Sequence, residues 1–215
     1  MAEAAGKEPY HLLRPKCINR VWHIDLTQIR ILCFRFAVAA ILDGCCRKLL
    51  ALRVYRRTPR SRHLTALVRR TVRQHGKPRF IISDQGTQFR KRFSAAMKRS
   101  GITAVRARVR APFLNGKLER VFRTVRIWWR LVLAGLTQKS LQRRLDDFQS
   151  WYNEHRPHSA LQGRTPAEAW QGECLPAPIP IRAHDAVCTH IQVRRYHCRG
   201  DPLLPVIQII LRRAA

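Results

Sequence analysis

The sequence predicts an α/β fold in which three strands, a helix and a fourth strand follow one another, and three observations lead to it. Segments rich in β-branched and aromatic residues come first, before any helical pattern. Leucines and valines at helical spacing come next. A short apolar run, Ile81–Ser83, then ends at Asp84 and a Gly-containing turn. The carboxyl ends of strands are where α/β folds commonly bind ligands and metals. With 215 residues, we expect one main domain.

The first three predicted strands cover residues 21–29, 31–42 and 47–55. Alternation along the first strand places His23, Asp25 and Thr27 on one face of the sheet. Asp25 then lies in mid-strand among apolar neighbours, where a carboxylate is costly unless positive charge meets it; the alternative is an edge Asp facing solvent. The Asp43-Gly44 pair favours a hairpin turn between the second and third strands. These three strands should therefore be antiparallel.

Helices are predicted on either side of the fourth strand. Ser61 is a suitable N-cap for the first helix, which Gly76 ends. A second helix over residues 89–100 leads to a short strand at 102–105, and a basic loop covers residues 106–113.

A long helix is predicted to open at Asn115-Gly116. Its apolar positions form one stripe, made up of Leu118, Val121, Phe122, Val125, Trp129 and Val132. Glu119 sits in the first turns of this helix, beside the apolar stripe. A further helix begins near Ser140, and Thr165-Pro166 starts another with Thr as N-cap and Pro at the first helical position.

The C-terminal part of the chain has a different pattern. Prolines at 176, 178 and 180 predict a stiff linker, and residues 187–196 and 206–211 can pair as a small β unit. We therefore expect an irregular lead-in over residues 1–19, a core over 20–172, and a linker with a small β unit over 173–215.

The charge balance points to a polyanionic partner. The chain has 42 Lys+Arg against 13 Asp+Glu, for a net charge of +29, and nucleic acid is the leading candidate. Since 34 of the basic residues are Arg, codon bias in a GC-rich genome is an alternative source of part of the excess. Seven cysteines without a CxxC pair indicate neither a disulfide framework nor a zinc ribbon, and the sequence has no membrane span or signal peptide. A soluble intracellular protein is expected.

Three acids occupy positions that amphipathic patterns do not explain: Asp25 in mid-strand, Asp84 at a strand end and Glu119 at a helix start. If the first and fourth strands are neighbours and the long helix packs over them, these carboxylates converge. Oxygen ligands without nearby His or Cys suit Mg²⁺ or Mn²⁺. Such a site can hold two ions for phosphoryl transfer.

Five blocks of this sequence resemble the DDE integrase core shared by retroviral integrases and bacterial insertion-sequence transposases. Three of them contain the acids, and two distal blocks resemble the transposase branch: Trp22–Thr27, Ser83–Phe89, Asn115–Phe122, Trp151–Leu161 and Gly163–Glu168. The resemblance spans about residues 20–170. It implies an RNase H-like fold, with a five-stranded mixed sheet flanked by helices.

The resemblance also implies a function. Metal-dependent cleavage at a transposon end would be followed by attack of the freed 3′ hydroxyl on target DNA. By position, Asp25, Asp84 and Glu119 carry over as catalytic metal ligands for Mg²⁺ or Mn²⁺. Lys117, Arg120 and Arg123 are candidates for contacts with DNA phosphates.

The expected setting is the bacterial cytoplasm, with the protein associated with DNA as a homo-oligomer. Relatives usually carry an upstream DNA-recognition module, and almost nothing precedes Asp25 here. A split reading frame, a truncated remnant and a core that works with a separate DNA-binding subunit are all compatible with that. The spacing of His23, His155 and His158 is not that of a zinc site. Two alternatives remain: a non-catalytic nucleic-acid-binding remnant, and an RNase H-type nuclease that cleaves RNA–DNA hybrids.

Overall fold

The computed structural model describes residues 15–31, 34–107, 112–130, 137–172, 188–198 and 201–213. Its principal feature is a five-stranded mixed sheet with the strand order β3-β2-β1-β4-β5. The strands are β1 (Val21–Ile31), β2 (Phe34–Asp43), β3 (Leu49–Tyr55), β4 (Phe80–Ser83) and β5 (Thr103–Arg106). The first three are antiparallel, whereas β4 runs parallel to β1 and β5 runs parallel to β4. The predicted five-stranded mixed sheet is confirmed.

Helices cover both faces of this sheet. They are α1 (Ser61–His75), α2 (Lys91–Arg99), α3 (Pro112–Arg130), α4 (Gln138–Glu154) and α5 (Pro166–Gln171). On one face, Trp22 and Ile24 of β1 pack with apolar side chains of α1 and α2. On the other face, Ile29 of β1 and alternate residues of β2 and β3 pack with α3 and α4. Burial on both faces explains why β2 is apolar almost throughout.

Three predicted boundaries were wrong. Ile31 ends β1 instead of starting the second strand, which begins at Phe34. Ser61 is the first residue of α1 and Arg60 is its N-cap; the Ser61 hydroxyl donates to the Gln88 carbonyl (2.7 Å) instead of capping the helix. The long helix α3 begins at Pro112, so Asn115 and Gly116 lie inside it. Proline is well suited to a first helical position because its missing N–H has no partner there anyway.

The edge strand β3 is covered by polar side chains of α4. The amide of Asn153 both accepts from Leu49 N (2.8 Å) and donates to Leu49 O (3.0 Å). Gln142 accepts from Val54 N (2.9 Å), and its Nε2 donates to Leu52 O (2.9 Å). Side chains therefore replace the hydrogen bonds of a sixth strand, which protects the edge from pairing with another chain.

The C-terminal strands β6 (Cys188–Cys198) and β7 (Asp201–Arg213) pair with each other in an antiparallel hairpin. The proposed linker at residues 173–180 lies outside the described residues, and the division of the chain at residue 172 stays a prediction. None of the helices in the described ranges is long and apolar enough to cross a lipid bilayer.

Candidate active site

The parallel pairing of β1 with β4 brings together Asp25, which lies within β1, and Asp84, which is the first residue after β4. His23 is paired with Ile82 at the end of this ladder. Asp25 and Asp84 each follow that pair by two residues, so the two carboxylates occupy equivalent positions on neighbouring strands. Since side chains alternate along a strand, Asp25 lies on the same face of the sheet as His23.

Asp25 has the most perturbed carboxylate of the candidate site. Its Oδ1 accepts a hydrogen bond from Leu26 N (2.7 Å). The pKa of Asp25 is raised to about 6: burial is the largest cause, the Leu26 hydrogen bond opposes it, and the negative charges of Asp84 and Glu119 add to it. Asp84 and Glu119 are therefore both near enough to Asp25 to act on it electrostatically.

Asp84 is held by the turn that follows β4. Its Oδ1 accepts a hydrogen bond from Gly86 N (3.0 Å). A Cβ on residue 86 would come within 2.9 Å of that same oxygen, so glycine permits the backbone to close onto the carboxylate. The neighbouring Gln85 side chain donates to the carbonyl of Ala107, which ties the turn to the end of β5. This arrangement fixes the Asp84 carboxylate through its Oδ1.

Glu119 is carried over β1 by α3, which two polar contacts anchor. Lys117 Nζ donates to Gly44 O (2.8 Å), and Arg126 Nη2 donates to Thr27 Oγ1 (2.8 Å). Between these contacts the buried row of α3 packs into the core, while Glu119 itself is exposed. The helix thus runs along β1 in the same direction, with Glu119 on the side of Asp25.

These three acids have no basic counterpart in the described part of the chain. Between residues 15 and 145 the sequence contains only four acids. The fourth, Asp43, is buried and accepts hydrogen bonds from Asn19 N, Cys45 N and Cys46 N. No Lys, Arg or His forms an ion pair with Asp25, Asp84 or Glu119 among the residues described, although the chain carries a net charge of +29. Uncompensated oxygen ligands of this kind suit a hard divalent cation.

The carboxylates are not yet gathered around one point. No group of three or more His, Cys, Asp and Glu side chains within the described ranges is arranged closely enough to hold a metal ion as it stands. Glu119 is exposed and Asp84 is half-buried, so both side chains have room to turn toward Asp25. The donor chemistry fits Mg²⁺ or Mn²⁺, and binding would require this inward rotation.

Sequence comparison with protein families decides the family of the chain. A family described as integrase core domain matches residues 15–112, and a second family of the same description matches residues 100–166. Together the two matches include all five strands of the large sheet and all three candidate carboxylates.

The chain belongs to the integrase core family.

The integrase core has the same fold as several solved integrase structures. It superimposes on the integrase of a simian T-cell lymphotropic virus intasome in complex with the PP2A regulatory subunit B56 gamma, with a TM-score of 0.64 at 16% identity over 86% of this chain and 64% of the other. The dimeric HTLV-2 integrase catalytic core domain in complex with magnesium gives 0.57 at 16% identity, over 70% of this chain and 95% of the other. The BIV integrase catalytic core gives 0.54 at 17% identity, over 71% and 93%.

These likenesses confirm the predicted RNase H-like fold. The chain spans less than two thirds of the intasome integrase. No match was found among curated protein sequences.

The predicted DNA-contact residues of the integrase core differ in their surroundings. Lys117 is half-buried and donates to Gly44 O, so it stabilises the position of α3. Arg120 and Arg123 are exposed on the same helix as Glu119. Their role as phosphate ligands stays a prediction.

Two contacts of α3 were missed by sequence reasoning. The Arg126–Thr27 hydrogen bond joins α3 to β1, and its signal in the sequence is the recurrence of Arg126 seven residues after Glu119. Arg156, in the distal block, donates from Nη1 to Thr124 Oγ1 (2.7 Å) and lies over the Trp151 ring at 5.7 Å. The block thus links the end of α4 to α3.

His158 of the same block packs edge-on against the Tyr152 ring, with 4.9 Å between centroids. The pKa of His158 is lowered to about 4, chiefly by burial and also by the positive charges of nearby arginines. This imidazole is therefore neutral at pH 7, which fits a structural role.

Proposed function

We propose that the integrase core catalyses divalent-metal-dependent DNA strand cleavage and strand transfer, as a transposase of a bacterial insertion sequence. The observation that carries the proposal is the trio of carboxylates without basic partners. Two of them, Asp25 and Asp84, each follow the last β1–β4 pair by two residues, and the third, Glu119, is carried near Asp25 by α3. The chain is strongly basic, which suits DNA binding, yet these three carboxylates have no basic partner among the residues that the structure describes. They can therefore bind metal cations beside the DNA.

The chain's own residues would act as ligands. Leu26 N donates to Oδ1 of Asp25 and Gly86 N donates to Oδ1 of Asp84, and the second oxygen of each carboxylate would be the metal ligand. Glu119 would complete the set after rotating inward. Bound Mg²⁺ or Mn²⁺, as two ions, would activate the attacking hydroxyl and stabilise the leaving oxygen. The HTLV-2 cores solved with magnesium support this choice of metal.

DNA would be positioned by cations beside the carboxylates. Arg120 and Arg123 project from α3 into solvent, where guanidinium groups can pair with phosphate oxygens in a bidentate manner. Lys117 would add positive charge at the start of the site. The substrates proposed are the transposon ends and target DNA.

The assembly proposed is a homo-oligomer on DNA, assisted by a separate DNA-binding subunit where end recognition requires one. Dimeric and trimeric forms of the HTLV-2 core and the simian viral intasome support an oligomer.

The test is cleavage and strand transfer of labelled oligonucleotides from the flanks of the element, with Mg²⁺ or Mn²⁺ and with chelator. Wild-type protein should produce nicked and joined products only with metal. Glu119→Gln should abolish both while binding DNA normally, and Glu154→Gln, which changes an exposed acid of α4, should retain both. A folded wild-type protein that binds DNA without metal-dependent products would leave the non-catalytic binder as the function.

A further inference from the structure

A basic groove lies between α1 and α2, on the face of the sheet opposite α3. It encloses about 970 Å³. Its lining includes six arginines: Arg60, Arg62, Arg69, Arg73, Arg92 and Arg99. All six are exposed. We define these residues as the α1–α2 groove.

The spacing of residues along the two helices explains why the groove is open. On α1, Arg62, Arg69 and Arg73 recur at helical spacing, with Thr65 and Ala66 between them. On α2, Arg92 and Arg99 flank Ala95 and Ala96 in the same way. Small side chains therefore form the floor, and long cationic side chains form both rims.

The positive charge of the groove is not neutralised within the described structure. No acid occurs between Asp43 and Asp84 or between Asp84 and Glu119, so neither helix contains one. None of the six arginines forms an ion pair in the described ranges. Like charges facing one another across a groove repel, and a bound polyanion would relieve that repulsion.

One end of the groove adjoins the candidate active site. Thr87 and Gln88 line the groove and follow Asp84 in the same turn. The Ser61 hydroxyl donates to the Gln88 carbonyl (2.7 Å), which fixes the start of α1 against this turn. The turn that follows Asp84 thus connects the candidate active site to one end of the groove.

We propose that the α1–α2 groove binds a second segment of the DNA sugar–phosphate backbone, separate from the contacts of Arg120 and Arg123. This inference rests on the proposed function for its ligand. Charge selects the occupant: a second copy of this chain that presented the same arginine groove would be repelled there, and two rows of guanidinium groups match a linear series of phosphates. A single inorganic anion would neutralise only part of the rims.

The experiment compares two triple variants with equal loss of charge. Arg62→Ala/Arg69→Ala/Arg92→Ala removes three of the six groove arginines, and Arg53→Ala/Lys139→Ala/Arg143→Ala removes three exposed cations from β3 and α4. Affinity for a duplex oligonucleotide is measured without divalent metal from low to moderate salt, and circular dichroism confirms folding. Each lost phosphate contact reduces the slope of log K against log salt by roughly 0.9.

The groove variant should lose about 2–3 from that slope, whereas the control should lose less than about 1. Arg62→Lys/Arg69→Lys/Arg92→Lys should restore most of the slope, because lysine keeps the charge. Equal losses in the groove and control variants would overturn the proposal. It would also be overturned if an acidic polyglutamate peptide bound the groove more tightly than DNA.

The outcomes separate this inference from the proposed function. Metal-dependent cleavage by wild-type protein together with equal slopes for the two triple variants would refute the groove alone. A selective slope loss in a protein that never cleaves DNA would support the groove and refute the catalytic proposal.

Discussion

Asp25 on β1 and Asp84 just after the parallel strand β4 each lie two residues beyond the His23–Ile82 pair. Neither has a basic partner among the residues described, and Asp84 contributes to the raised pKa of Asp25. The pairing of β1 with β4 therefore places two negative charges near each other in a strongly basic protein. This local charge determines the first two predictions.

Asp25→Asn should stabilise the metal-free protein at neutral pH. Because the pKa of Asp25 is raised from 3.8 to about 6 in the fold, the folded chain keeps a proton that the unfolded chain releases. The free energy of unfolding of wild type should fall as pH rises from about 4 to 6, by roughly 1–3 kcal/mol from this group. The variant should lack that fall.

Urea unfolding in chelator across pH 4–8 measures this effect. Asp146→Asn, at an exposed position of α4, serves as the matched control and should follow the wild-type curve. Parallel curves for wild type and Asp25→Asn would contradict the assignment of the raised pKa.

Magnesium binding should offset the loss of stability that the ionised Asp25 carboxylate causes at neutral pH. A ligand that binds only the folded state at ten times its Kd adds about 1.4 kcal/mol to the free energy of unfolding. The thermal shift caused by Mg²⁺ should grow from pH 5 to pH 7, as Asp25 loses its proton. It should be lost in Asp25→Asn and reduced in Glu119→Gln. An equal shift in wild type and both variants would place the bound ion elsewhere.

The hydrogen bond between Arg126 and Thr27 should contribute measurably to the docking of α3. A double-mutant cycle of Arg126→Met and Thr27→Val should give a coupling energy of about 0.5–1.5 kcal/mol, as for a typical hydrogen bond. The control cycle pairs Arg123→Met with Thr27→Val, since Arg123 is exposed, and should give a coupling near zero. Similar couplings in the two cycles would mean that the contact is not formed in solution.

The hydrogen bonding of α4 to the edge strand β3 should contribute more to stability through Asn153 than through Gln149. Asn153→Leu leaves the buried Leu49 N without its acceptor, which costs about 1–3 kcal/mol. Gln149→Leu removes only a second donor to Leu49 O, which Asn153 still satisfies, so the loss should be smaller. Chemical denaturation compares the free energies of unfolding of the two variants. An equal loss would contradict the role given to Asn153 as the acceptor for Leu49 N.

The sheet and the positions of the three acids could be predicted because they follow from local patterns. Alternation in β1 identified the face that carries Asp25, and an apolar run ending at Asp84 identified the strand end. The start of α3 was missed because Gly116 was interpreted as a helix opening. A Cβ at Gly116 would meet nothing within 4 Å, so its place inside the helix reflects no steric demand.

Features that depend on which elements meet in space could not be predicted. The Arg126–Thr27 contact requires that α3 run along β1, and the arginine rows of α1 and α2 form a groove only because the two helices are neighbours. Helical spacing alone shows each row as an ordinary solvated face. Tertiary packing supplies the juxtaposition.

The most direct test of the central claim is the location of Mn²⁺ by anomalous scattering in crystals grown near pH 7.5. We expect a peak about 2.0–2.3 Å from carboxylate oxygens of Asp25 and Asp84, with Glu119 turned toward it. Crystals of Asp84→Asn should show a weaker peak or none. An ordered wild-type site with no peak between these carboxylates, at a Mn²⁺ concentration that supports DNA cleavage, would contradict the account.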